Sequence, residues 1–323
     1  MTNRRYGFLR YANARCAAAL VLAGLIAGSL PAGRALAQTP LADARKGFVT
    51  TFHDNRGPGE PVPAPTAKQG RLVRYPSAVG PLAALLSAVS ADGRRRPAII
   101  WITGGDASTI DDSVWEASPP GNDQTARQYR EAGIVTLYPS LRGGNNNPGH
   151  REGYFGEVDD VLAAADWLAA QPGIDPQRIY LGGHSTGATL VLLVAEASPR
   201  FRAVFAFGPA TDPAAHQREN VPLDPSNKRE MALRRPIAWL DSVQAPLHVF
   251  EGASGRVSNV DELRDLQRAT HNPQIHFHPV RGTDHFGVLA PTNRLIARKI
   301  LDDTGPTSTI TFAEDELEAP FKR

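Results

Sequence analysis

Residues 179–190, IYLGGHSTGATL, pass from an apolar strand-like run through Gly183-His184-Ser185-Thr186-Gly187 into a helix-like run. A serine between two glycines at such a junction sits on a tight strand-to-helix turn, which needs small neighbours and lifts the hydroxyl clear of a sheet. The start of the following helix adds free amides and the positive end of a dipole, both of which favour developing negative charge. Ser185 is therefore a candidate nucleophile. It needs a base to take its proton and an acid to hold that base in place.

Outward from this stretch, short apolar runs alternate with helix-length segments. The pattern predicts strands at 71–75, 97–103, 134–138, 178–182, 203–207, 247–250 and 275–280. Helices are predicted at 125–132, 157–171, 186–197, 260–271 and 291–301. In the second of these, Val158, Val161, Leu162, Ala165 and Leu168 recur at three- and four-residue steps. Repeated strand-helix alternation implies an α/β protein, a mainly parallel central sheet with helices on both faces. Residues 38–70, with Gly57-Pro58-Gly59 and Pro61-Val62-Pro63-Ala64-Pro65, read as an irregular N-terminal arm. Residues 304–323, carrying Glu314, Asp315, Glu316 and Glu318, read as a solvated acidic tail. No internal repeat is present.

The first 37 residues carry Arg4, Arg5, Arg10, Arg15 and Arg34 and no acid, with an apolar run at 17–30 and a small-x-small site at Ala35-Leu36-Ala37. This is the layout of a secretory signal peptide, and the apolar run falls short of the roughly 20 residues that a membrane span needs. Export to a periplasmic or secreted location is expected, with no membrane anchor after cleavage. Arg4-Arg5 followed by Phe8-Leu9 is similar to a twin-arginine signal with the spacing off by one, so the export route stays open. The chain has 35 Lys and Arg against 33 Asp and Glu. Without the five leader arginines the balance turns slightly acidic, and no basic stripe with interleaved aromatics remains for nucleic acid. The single cysteine, Cys16, lies in the leader, so the mature chain has neither disulfides nor a thiol nucleophile. The mature chain, with its main body at 71–303, has the size of one large α/β domain.

Three further stretches accompany the serine motif. They are Tyr138-Pro139-Ser140-Leu141-Arg142-Gly143-Gly144, then Glu157-Val158-Asp159-Asp160 opening a helix, and Gly173-Ile174-Asp175-Pro176-Gln177-Arg178-Ile179 leading into the serine strand. On these residues the chain over 71–301 resembles the α/β-hydrolase fold, and within it the prolyl oligopeptidase-like and dienelactone hydrolase-like serine hydrolases. The resemblance implies a base just after the last strand. Gly282-Thr283-Asp284-His285-Phe286 stands there, and His285 matches the family's catalytic histidine. A neutral imidazole accepts a serine proton and returns it to a leaving group near physiological pH. The resemblance also implies an oxyanion hole of two backbone N–H groups. One comes from Thr186 and the other from Gly104 and Gly105, in Thr103-Gly104-Gly105, where the family usually has His-Gly-Gly.

The acid departs from the family pattern. Relatives place an aspartate three residues after the glycine that ends the seventh strand, and Gly255 occupies that position here. Two carboxylates stand as replacements. Glu251, at the end of the same strand, has the longer side chain, and Asp212 follows the sixth strand, from which some α/β-hydrolases supply their acid. Their structural roles would be pairing with Arg256 for Glu251 and capping a turn for Asp212. Asp284, next to His285, is poorly placed to face its ring.

The expected function is a serine hydrolase that cleaves an ester, lactone or amide bond in a small-molecule or short peptide substrate, with no cofactor and no metal. Prolyl oligopeptidase-like proteins often carry a β-propeller, for which this chain has no room, and this favours esterase-type over peptidase activity. A non-catalytic binding protein is the alternative, suggested by Gly255 and by Thr103 where histidine is usual. His276 and His278 share one strand face, as metal ligands can, but no third ligand has matching spacing. Loops at 106–121 and 212–240 would shape the pocket, and the second is expected to form a lid.

Overall fold

Strand β3 (Arg96–Ile102) divides its side chains between two cores: Ala98, Ile100 and Ile102 enter one, Ile99 and Trp101 the other. A strand buried on both faces needs such a continuous apolar run, because successive residues point to opposite sides. In the computed structural model the residues described are 40–52, 59–66, 68–89, 92–116, 118–213, 224 and 226–322. All belong to one unit, Gln38–Arg323. The leader expected at 1–37 lies outside the described residues. Among the described residues no helix is long and apolar enough to cross a membrane.

The other strands are β1 (Arg71–Tyr75), β2 (Leu82–Leu86), β4 (Val135–Pro139), β5 (Ile174–His184), β6 (Val204–Phe207), β7 (Leu247–Gly252) and β8 (Ile275–Val280). They form one eight-stranded sheet in the order β1-β2-β4-β3-β5-β6-β7-β8. β1 and β2 run antiparallel to their neighbours and the rest are parallel. Among the described residues the helices are α1 (Leu41–Arg45), α2 (Arg127–Glu131), α3 (Phe155–Ala169), α4 (Thr186–Ala197), α5 (Lys228–Ala232), α6 (Val260–Ala269), α7 (Leu289–Asp302) and α8 (Glu314–Glu318). One core holds Val158, Val161 and Leu168 of α3 with Leu190 and Val191 of α4. The other holds Tyr129 of α2 with Leu289, Ile296 and Ile300 of α7. Helices thus cover both faces, and β5, which carries the serine motif at its end, sits mid-sheet.

Beyond the short helix α1, which packs Leu41 into the core within the arm expected to be irregular, three features differ from the sequence reading. Strand β2 is absent from it, because LAALL neither alternates nor carries β-branched or aromatic residues; burial between β1 and β4 makes it a strand. The tail is not a solvated end: Ile310 and Leu317 are buried in the second core, and Glu318 of α8 bonds Arg281 at 3.0 Å. The apolar positions inside an acidic sequence decide its place. The third concerns the expected lid at 212–240, of which 214–223 and 225 lie outside the described residues. Its second half is packed into the body: buried Arg234 pairs with Glu230 and donates to Thr50 Oγ1 at 2.7 Å and to the Glu152 carbonyl at 3.0 Å.

Candidate active site

β5 stops at His184 and α4 starts at Thr186, so Ser185 alone makes the bend, with φ of 54° and ψ of −117°. A positive φ is strained for any residue with a Cβ, and it persists only where surrounding bonds enforce it. The Ser185 N–H donates to the Phe207 carbonyl on β6 at 2.7 Å, and its own carbonyl accepts from the Thr189 N–H at 3.0 Å. The motif's last glycine is required sterically: a Cβ at Gly187 would lie 2.4 Å from the Ile102 carbonyl oxygen. The pattern G-x-S-x-G is thus the cost of bringing α4 against β3.

His285 lies in the loop between β8 and α7, and its N–H donates to the Val257 carbonyl at 2.9 Å. Its buried ring donates from Nδ1 to Glu251 Oε2 at 3.0 Å, with Oε1 at 3.2 Å. Glu251 is on β7 itself and fully buried, and its Oε1 also accepts the Asn259 N–H at 2.9 Å. Of the two carboxylates left open by the sequence, the structure therefore brings Glu251 to the imidazole. Asp212 is the correction, since its carboxylate pairs with Arg235 at 3.0 Å. Gly255, where the family has its acid, sits at φ of 89° with its Cβ position 2.9 Å from Asp284 Cβ, so a loop side chain is strained and crowded here. The longer glutamate, four residues earlier, reaches the ring from the strand. Asp284 is spent on its own turn, accepting the Phe286 and Gly287 N–H groups at 3.2 and 2.8 Å.

Residues that sequence reasoning missed complete the surroundings. Gly208, after β6, has φ of 61°, and a Cβ there would lie 2.4 Å from Glu251 Oε2 and 2.6 Å from His285 Nδ1. The Asn259 amide donates to the Gly208 carbonyl at 3.1 Å and so fixes that approach. His184 occupies the variable position of the serine motif, which by itself signals no role. Its Nε2 donates to the His285 carbonyl at 3.2 Å, and its Nδ1 meets the Gln124 amide nitrogen at 2.9 Å. Burial, and then the neighbouring His285, push the His184 pKa down to about 3, so this ring is neutral. Gln124 and Asn259 carry no readable signal, because either is an ordinary loop residue until the fold places it.

The oxyanion donors expected from the sequence fare unequally. The Thr186 N–H belongs to the first helical turn, whose amides have no partner within the helix. Gly104 lies against the nucleophile turn, since a Cβ there would be 3.3 Å from Ser185 Cβ, and its N–H faces the Gln124 side-chain oxygen at 3.4 Å. The Gly105 carbonyl accepts from Thr186 Oγ1 at 2.8 Å, which ties this turn to the start of α4. Beside Ser185 a pocket of about 50 Å³ is lined by Thr186, Thr189, Gly208, Ala210, Pro213 and Asn259.

Residues 122–234 match the prolyl oligopeptidase family. Among solved structures, a puromycin hydrolase superposes with a TM-score of 0.58 at 14% identity, covering 72% of this chain and 39% of that one. A 2,6-dihydroxy-pseudo-oxynicotine hydrolase superposes with a TM-score of 0.55 at 13% identity, covering 77% of this chain and 72% of that one. This chain has the α/β-hydrolase fold. An uncharacterized protein of Mycobacterium tuberculosis (strain ATCC 25618 / H37Rv) is 32% identical over 122 residues, which are 38% of this α/β-hydrolase chain and 43% of the relative. The chain thus spans less than half the length of the curated relatives it matches. The solved structures share the fold, and the family match covers residues 122–234 of it.

The strand histidines of the α/β-hydrolase body have a different setting. His276 and His278 on β8 stack on the buried His248 of β7, with ring centroids 4.9 and 5.4 Å apart and planes within 22°. His248 Nδ1 lies 3.2 Å from His278 Nε2. Among the described residues, no group of three or more His, Cys, Asp or Glu is arranged to hold a metal ion.

Proposed function

We propose that this protein is an exported serine hydrolase that cleaves an ester, lactone or amide bond in a small molecule or short peptide through an acyl-enzyme on Ser185. The observation that carries the reading is the buried Glu251–His285 pair, 3.0 Å apart, at the same end of the sheet as the Ser185 bend. With Nδ1 committed to Glu251, the remaining Nε2 is the nitrogen that takes the Ser185 proton as Oγ attacks the substrate carbonyl carbon. The oxyanion that forms is met by the Thr186 N–H, with the Gly105 turn beside it. Collapse of the tetrahedral intermediate expels the leaving group, which receives the proton from His285. Water then repeats the sequence on the acyl-enzyme: it loses a proton to His285, and Ser185 recovers that proton as the acid product departs.

Among the described residues no hydrogen bond joins Ser185 Oγ to His285. In hydrolytic sites this contact often closes only as the substrate complex forms. Export rests on the composition of residues 1–37. The test is a fluorophosphonate probe together with p-nitrophenyl acetate hydrolysis. The wild type is expected to be labelled and to turn over the ester, and Ser185→Ala is expected to lose both. A folded wild-type protein that neither reacts with the probe nor cleaves the ester overturns the reading in favour of a binding protein.

A further inference from the structure

Both nitrogens of the buried His184 ring find their partners within this site. The ring is 1% exposed and lies against the His285 ring with centroids 4.4 Å apart. Nε2 faces the main-chain carbonyl of His285 at 3.2 Å and must donate there, which leaves Nδ1 to accept from the Gln124 amide nitrogen at 2.9 Å, with the Gln124 oxygen 3.1 Å from it. The same Gln124 side chain faces the Gly104 N–H through its oxygen at 3.4 Å. A chain of bonds therefore runs from the turn after β3, through Gln124 and His184, to His285 and on to Glu251. His184 is also covalently next to Ser185. One peptide bond and one hydrogen bond thus connect the nucleophile to the loop that bears the base.

We infer that His184 is a positioning residue for this hydrolytic site: it clamps the His285 loop to the strand that ends at Ser185 and aims the base at the nucleophile. The inference rests on the serine-hydrolase reading above. His184 suits the task because it is held neutral in one tautomer, with Nε2 protonated and Nδ1 accepting. A charged neighbour 4.4 Å away would oppose the imidazolium that forms on His285 when it takes the serine proton. A neutral ring aligns the base without that penalty. A hydrophobic residue of the same size would fill the space but leave the His285 carbonyl untethered.

The experiment compares His184→Phe, His184→Gln and Gln124→Met in steady-state hydrolysis of p-nitrophenyl acetate, with Ser185→Ala as control. His184→Phe keeps the ring and loses both bonds. It is expected to lower kcat by roughly 10- to 100-fold, the scale of an ångström-level misplacement, with KM little changed. His184→Gln, whose amide can still donate to the His285 carbonyl, is expected to recover most of that loss. Gln124→Met, which removes the second partner, is expected to fall between. Nitrogen-15 NMR of the wild type is expected to show His184 as a single Nε2–H tautomer that does not titrate between about pH 5 and 8.

Wild-type kcat in His184→Phe, or a His184→Gln variant as impaired as His184→Phe, overturns the inference, and so does a loss seen only in KM. Should His184→Phe fail to fold, Gln124→Met decides: a lowered kcat supports the clamp and an unchanged one overturns it. Unchanged turnover in Ser185→Ala defeats the serine-hydrolase reading itself. An inactive Ser185→Ala beside a fully active His184→Phe defeats the clamp alone.

Discussion

The acid of the site shows what a linear pattern can and cannot convey about a residue. Ser185 and His285 were legible as candidates because each is tied to a local feature, the bend after one strand and the loop after another. The acid was not, because a carboxylate's duty is set by where its side chain ends, and Glu251 and Asp212 both stand at or just after a strand end in the sequence. Only the fold shows that Asp212 is held by Arg235 while Glu251 reaches Nδ1. Glu251→Gln leaves the shape intact but no longer stabilises the imidazolium, and kcat is expected to fall by about 10² to 10⁴. Asp212→Asn, assayed in parallel, is expected to stay within about twofold of the wild type. A Glu251→Gln variant with unaltered turnover would remove Glu251 from the mechanism.

At the scale of elements, strands and helices with strong periodicity or long apolar runs were readable, and the serine helix falls where the pattern predicts, at Thr186–Ala197. β2 was not, since burial rather than propensity makes it a strand. The β7–β8 edge carries a pH dependence that no single element reveals. Burial lowers the pKa of His248 and of His278, the latter to about 4, with the neighbouring histidines adding to the shift. Lys299 faces the same region, with Nζ 5.1 Å from the Phe312 ring centre, and Arg281 sits nearby, paired with Glu314 and Glu318. Depressed folded values mean that the neutral forms are the ones the fold accommodates. Their contribution to stability is complete above the ordinary histidine value near 6.5 and is lost as pH falls toward about 4. Thermal melts across that interval should therefore show wild-type Tm dropping with acidity, and His278→Phe should drop less, by a few °C on the order expected for a domain this size. Parallel curves for the two proteins would show that the stack is not the source.

For the whole molecule, the alternation of strands and helices announced the architecture, whereas the placement of the ends did not show in the sequence. The last twenty residues read as a solvated end because their acidic composition masks a few apolar positions. Those positions close the second core: Ile310 and Leu317 are buried, and Phe312 meets the Phe250 ring edge-on at 5.1 Å. Burial of the two aliphatic side chains alone is worth about 3 to 6 kcal/mol, a large share of a typical folding stability of about 5 to 15 kcal/mol. A chain ending at residue 303 is therefore expected to melt roughly 10 °C or more below the full-length protein and to bind an apolar dye at the exposed β8 edge. Equal melting temperatures would mean that the C-terminal segment contributes little to stability.

Mounting the acid on a strand instead of on a loop has a further consequence for behaviour on warming. Sheet interiors open last and surface connections open first. As the rim begins to breathe, the counter-ion stays seated in the framework while the imidazole, carried by a loop, starts to wander. Heat inactivation of this site should accordingly begin with loss of aim in the base, well before the sheet itself gives way.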